Sequence, residues 1–164
     1  MRLHLLLLGT VAVNVCLSGG ALAQTQGGGD AQPDAYTYKH VDGKEMKAYG
    51  FEPLHREYRK PRAAMLVFNG GSWNHGSAAW TFGQARYFMS LGMVGISVDY
   101  RLANGVSVRP FDAAEGARAA VRWAPSQAGL LNIDPKRIGA CGESAGGLLA
   151  AAIAITEEDP RRMN

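Results

Sequence analysis

The stretch Gly142-Glu143-Ser144-Ala145-Gly146 places a serine in a G-x-S-x-G pattern, followed at once by Gly147. A serine hydroxyl is a weak nucleophile at neutral pH. It attacks a carbonyl only when a base takes its proton and donors meet the oxyanion that develops. Five residues of such simple composition arise readily by chance, so the flanking elements have to supply the meaning. Arg137-Ile138-Gly139-Ala140-Cys141 reads as a short strand entering Gly142, and an alanine-rich helix runs from about Ser144 to Glu157, before Pro160. A strand-to-helix turn of this kind exposes the serine hydroxyl over a sheet. The helix N-terminus beneath it favours negative charge, and the backbone N–H of Ala145 becomes a candidate donor to an oxyanion.

A second glycine-containing loop, Asn69-Gly70-Gly71-Ser72-Trp73, follows the apolar run 63–68 directly. Small residues there let backbone N–H groups of Gly70, Gly71 and Ser72 face a nucleophile and complete an oxyanion hole. A phosphate-cradling loop would carry Gly-Lys-Ser/Thr at this point, and Ser72-Trp73-Asn74-His75 stands there instead.

The elements that must position these loops follow a strand–helix rhythm. Tyr36 to His40 and Met46 to Glu52 form two strands joined around Asp42-Gly43, a hairpin signal. A basic turn spans Arg56 to Arg62. The run 63–68 suits a strand buried on both faces. Ser77 is placed to cap a helix to Leu91, with Ala78, Phe82, Ala85 and Phe88 or Met89 on one face, and Gly92 ends it. Met93 to about Tyr100 is the next strand. Pro110 and Asp112 open a further helix whose face is Ala114, Ala117, Val121 and Ala124, limited by Pro125. Asp134-Pro135 reads as a turn. Strands separated by single helices imply right-handed βαβ units and a parallel sheet.

The N-terminus reads as a secretory signal: Arg2, then apolar runs from Leu5 to Leu8 and Val11 to Leu17, then Ala21-Leu22-Ala23 as the cleavage site. The apolar stretch is too short to span a bilayer, so residues 1–23 are expected to be removed and the protein secreted or periplasmic, with no membrane attachment afterwards. Residues 24–35, rich in Gln, Gly, Asp and Pro, read as a flexible leader to a domain at 36–164. With 47% hydrophobic and 19% charged residues among 164, the composition is that of one soluble globular domain. The net charge of +3 falls by one on signal removal; with no basic cluster interleaved with aromatics, nucleic acid is not an expected partner. Cys141 is the only cysteine outside the signal, so an intrachain disulfide is excluded.

Three segments, N-G-G-S-W at 69–73, V-D-Y-R-L-A at 98–103 and I-D-P-K-R-I-G-A-C-G-E-S-A-G-G at 133–147, make the chain resemble the esterase/lipase branch of the α/β hydrolases, the group of hormone-sensitive-lipase-like and acetyl-xylan or other carbohydrate esterases. The resemblance implies a partial α/β-hydrolase fold: a mostly parallel sheet of five strands with flanking helices, ending after the nucleophile-elbow helix. It implies Ser144 as nucleophile, the amides of Gly70, Gly71, Ser72 and Ala145 as oxyanion hole, a small-molecule or carbohydrate ester as substrate, and no metal or organic cofactor. Two departures stand out. The family's H-G-G-G motif has Asn69 in place of His and Ser72 in place of the third Gly. The family also places its acid and histidine after the nucleophile. The twenty residues after Ser144 contain Glu157, Glu158 and Asp159 but no histidine. The acidic run would sit roughly 20 Å along the helix at 1.5 Å per residue, too far to orient a base. His75 leaves the loop on the oxyanion side, and His40 and His55 fall in the early hairpin region. The expectation is therefore a serine esterase whose first 164 residues are nearly inert alone, with the edge of strand 137–141 bare. Two other readings stay open: a non-catalytic binding domain on a hydrolase scaffold, and a peptidase or acyltransferase on the same fold. Nothing in the sequence sets the oligomeric state.

Overall fold

Asp42 and Gly43 both take the left-handed conformation, at φ 51° and 74°, which is what a two-residue hairpin turn requires at both central positions. They join β1 (Asp34–Val41) to β2 (Lys44–Phe51), with Val41 paired to Lys44 across the turn. The computed structural model describes residues 32–53, 60–103 and 110–155. The signal segment, most of the 24–35 leader, most of the basic turn, His55 and the acidic run 157–159 lie outside the described residues. β1 begins at Asp34, so the last two residues assigned to the leader belong to the sheet.

β3 (Arg62–Phe68) and β4 (Val94–Val98) are parallel neighbours, and all five residues of β4 are buried. β5 (Ile133–Gly142) lies parallel to β3 on its other side. The sheet order is β1-β2-β4-β3-β5, with β1 and β2 antiparallel to each other and β2 antiparallel to β4. Among the described residues β5 pairs on one side only, as the sequence led us to expect. β5 is longer than the sequence suggested. Arg62 pairs with Ile133 and Ala64 with Ile138, so four residues of β5 bulge opposite one of β3. The expected Asp134-Pro135 turn sits inside that bulge, where the Asp134 carboxylate accepts the Lys136 N–H at 2.9 Å.

Three helices cover the sheet: α1 (Phe82–Ser90), α2 (Pro110–Ser126) and α3 (Ala145–Ile155). Alternate residues of each strand point to opposite faces. Ala64, Leu66, Phe68, Val94, Ile96 and Val98 join the α2 alanines 113, 114, 117, 120 and 124 and Leu149 of α3 in one core. α1 packs on β2, β3 and β4. Its Phe82 meets the Tyr49 and Phe51 rings at 5.3 and 5.1 Å.

The helix expected from Ser77 is split. A 3-10 turn over Ala78–Thr81 precedes α1, and the Ser77 side chain makes no capping bond. Competing hydrogen bonds, some from the end of β4, account for the split. The Ala78 carbonyl accepts the hydroxyls of Thr81 (3.0 Å) and Ser97 (2.6 Å), while the Phe82 N–H bonds to Ala79, three residues back. The capping acceptor comes from another strand end: the Asp99 carboxylate takes the Ala78 N–H at 2.9 Å. None of the helices in the described residues is long and apolar enough to cross a membrane.

Candidate active site

β5 ends in Gly142 and α3 opens at Ala145, so the chain reverses direction within two residues. Ser144 absorbs the reversal at φ 51°, a left-handed conformation that a non-glycine residue holds only when its surroundings impose it. Two bonds impose it: Gly146 N–H to the Glu143 carbonyl at 2.8 Å, and Leu148 N–H to the Ser144 carbonyl at 3.1 Å. The glycines on either side are set by room. A Cβ at Gly142 would lie 2.6 Å from the Phe68 carbonyl oxygen, and one at Gly146 would overlap that same oxygen. The helix therefore enters in backbone contact with the end of β3. Ser144 is left exposed and Ala145 buried beneath it. As the first residue of α3, Ala145 presents one of the N–H groups that a helix leaves without an internal partner.

The loop after β3 lies against this turn. A Cβ at Gly70 would sit 3.5 Å from the Ser144 Cβ. Gly71, Ser72 and Trp73 follow at φ 111°, 52° and 60°, three consecutive left-handed residues that curl the chain back. The Gly71 carbonyl accepts the N–H groups of Asn74 and His75, at 3.0 and 3.2 Å, closing the curl. Asn69 is 1% exposed and donates from Nδ2 to the Gly70 carbonyl at 2.6 Å. The Tyr100 hydroxyl donates to the Asn69 carbonyl at 2.8 Å, with the Gly70 carbonyl 3.4 Å away. The Trp73 carbonyl accepts the Ala103 N–H at 2.8 Å, while the Trp73 indole N–H is buried with no partner among the described residues.

The structure thus brings Gly70 beside Ser144 and sets Ala145 under it, with Gly71 and Ser72 next in the same curl. The two described histidines are placed otherwise. His75 is exposed, its ring edge-on to Trp80 at 5.8 Å. His40 lies on β1, at the opposite end of the sheet order from β5, with its Nε2 3.9 Å from the Glu45 carboxylate. Among the described residues no cluster of three His, Cys, Asp or Glu is placed to hold a metal.

Sequence reasoning assigned no role to Asp99 and Tyr100 within V-D-Y-R-L-A. They follow the last residue of β4, at the carboxyl ends of the parallel strands, where sites in such sheets form. Two polar residues directly after a buried, mostly apolar strand were the available signal. Burial raises the Asp99 carboxyl above its ordinary value, opposed by the Ala78 N–H it accepts, and pushes the Tyr100 hydroxyl up to about 12.

The BD-FAE family profile matches residues 53–163, most of the chain and both loops. This chain belongs to the BD-FAE family. Its fold is that of the α/β-hydrolase esterases: the esterase Est2 of Thermogutta terrifontis superposes with a TM-score of 0.70 at 34% identity, covering 79% of this chain and 48% of that one. The carboxylesterase NlhH of Mycobacterium tuberculosis is 34% identical over 97 residues, 58% of this chain and 30% of NlhH. A non-reducing polyketide synthase of Preussia isomera, Preu6, is 30% identical over 128 residues, 74% of this chain and 6% of the synthase. The chain thus spans about half of Est2 and under a third of NlhH. The BD-FAE chain described here is an esterase-like hydrolase domain by fold and by family.

Proposed function

We propose that this BD-FAE chain supplies the nucleophile and the oxyanion hole of a secreted serine carboxylesterase acting on short-acyl or acetylated-carbohydrate esters. The observation that carries the reading is the exposed, left-handed Ser144 at the β5–α3 turn, with Gly70 packed beside it. In the reaction the Ser144 hydroxyl attacks the ester carbonyl and loses its proton to a base. Charge on the carbonyl oxygen is met by backbone N–H groups of Ala145 and of the Gly70, Gly71 and Ser72 curl. The intermediate collapses, the alcohol leaves with a proton returned by the base, and water releases the acid from the acyl-serine. Neither described histidine, His40 or His75, is placed to be that base, and the chain spans about half of Est2, so the base is proposed to be a histidine from the remaining part of such a fold. The chain alone is accordingly nearly inert.

Short acyl groups are suggested by Est2, a relative whose structures include propionate-bound and butyrate-bound forms and forms phosphorylated by paraoxon or phosphonylated by sarin. Secretion rests on Arg2, the apolar run and Ala21-Leu22-Ala23. A second reading, acyl transfer to an acceptor other than water, draws on the likeness to Preu6. It is separated from hydrolysis by adding an alcohol acceptor and asking whether ester or free acid accumulates.

The test is turnover of p-nitrophenyl acetate and butyrate by the native full-length protein beside Ser144→Ala. The expected loss of kcat is on the order of a millionfold. Undiminished turnover in Ser144→Ala would remove the serine from the mechanism.

A further inference from the structure

Resting on the esterase reading above, we propose that Tyr100, acting with Asn69, is the positioning residue that sets the oxyanion hole, by holding two consecutive carbonyls of the loop and so turning the intervening amides outward. A trans peptide unit is planar, and its C=O and N–H point in opposite directions. Holding the Asn69 carbonyl against the Tyr100 hydroxyl, at 2.8 Å, fixes the direction of the Gly70 N–H on the other side. Holding the Gly70 carbonyl against Asn69 Nδ2 at 2.6 Å, with the same hydroxyl 3.4 Å away, fixes the Gly71 N–H likewise. A Cβ at Gly70 would lie 3.5 Å from the Ser144 Cβ, so these two amides belong to the peptide units on either side of the residue that borders the nucleophile.

The anchor is itself immobile. Tyr100 is 3% exposed, and burial keeps its hydroxyl protonated, hence a donor, well above neutral pH. The residue before it is bound on three sides. The Asp99 N–H bonds to the Lys47 carbonyl at 2.9 Å, the Tyr38 hydroxyl to the Asp99 carbonyl at 2.6 Å, and the Asp99 carboxylate to the Ala78 N–H at 2.9 Å. Adjacent residues at the end of β4 thus grip the loop at both its beginning and its end. The replacement of the family's histidine by Asn69 gains a physical sense here: this side chain is short enough to reach its own neighbour's carbonyl. A Cβ at Gly76 would overlap Asn69 Nδ2, so the loop's return leg packs directly against the amide.

The test is steady-state hydrolysis of p-nitrophenyl butyrate by the native full-length protein and its Tyr100→Phe, Asn69→Ala and double variants, with folding checked by circular dichroism. Aligned donors matter in the transition state and little in ground-state binding. Tyr100→Phe is expected to lower kcat on the order of 10- to 100-fold with KM within about 2-fold, and to weaken inhibition by a boronic acid in proportion. Asn69→Ala is expected to do the same, and the double variant to be no worse than the poorer single one, because both act on one pair of peptide units. If Tyr100→Phe does not fold, Asn69→Ala carries the same test. A folded Tyr100→Phe with unchanged kcat, or with raised KM alone, overturns the inference while leaving Ser144-dependent esterase activity intact. Absence of Ser144-dependent turnover in the unmodified protein defeats the esterase reading, and this inference with it.

Discussion

The turn at 142–147 and the loop at 69–78 meet at Ser144 and Gly70, yet they are held by different forces. The turn is fixed by shape: backbone of Gly142 and Gly146 lies against the Phe68 carbonyl with no room for a single methyl group. The loop is fixed by polar side chains. Tyr100 and Asn69 hold its carbonyls and Asp99 holds the Ala78 N–H where it rejoins regular structure. A strained serine needs surroundings that cannot yield, and close-packed backbone supplies them. The oxyanion hole proposed for the loop needs amides aimed in a set direction, which hydrogen bonds specify better than packing does. One side of the site is therefore sensitive to volume, the other to polarity.

The largest expected effect lies on the side held by shape. Gly146→Ala drives a methyl group into the Phe68 carbonyl and should cost on the order of 3 kcal/mol, read as a lowered urea midpoint. An unshifted midpoint would mean that α3 backs away easily and that shape does not hold the turn. A smaller effect is expected where polarity holds the loop. Burial raises the Asp99 carboxyl above 3.8, so the folded state keeps that proton more tightly than the unfolded chain does. Stability from this group therefore falls as pH climbs from 3.8 through the raised value. Asp99→Asn, which retains an acceptor for Ala78, should flatten that part of the stability–pH curve. A slope identical to the unmodified protein's would show that Asp99 is not the group responsible. The smallest effect is at Ser77, which caps by sequence rule and not in fact: Ser77→Ala should change stability by no more than about 0.5 kcal/mol. A cost near 1 kcal/mol, the usual value of a lost cap, would restore the role that the sequence suggested.

Features set by local chemistry were legible in the sequence. Asp42-Gly43 announced the hairpin because few other pairs tolerate two left-handed residues, and G-x-S-x-G between a strand and an apolar helix announced the elbow. Features set by distant partners were not. The 3-10 turn at 78–81 depends on Ser97, nineteen residues away, capturing the Ala78 carbonyl. The length of β5 depends on Arg62 pairing with Ile133 across a bulge that no local pattern marks. The hold of Tyr100 on Asn69 spans thirty-one residues, and only the sheet order, which places β4 beside β3, brings them together.

Covalent capture shows directly whether Ser144 is the nucleophile proposed above. The native full-length protein and its Ser144→Ala variant are treated with a fluorophosphonate and read by intact mass with peptide mapping. One adduct is expected, on the peptide carrying Ser144, and none in the variant. An adduct that persists in Ser144→Ala, or maps to another residue, would contradict it.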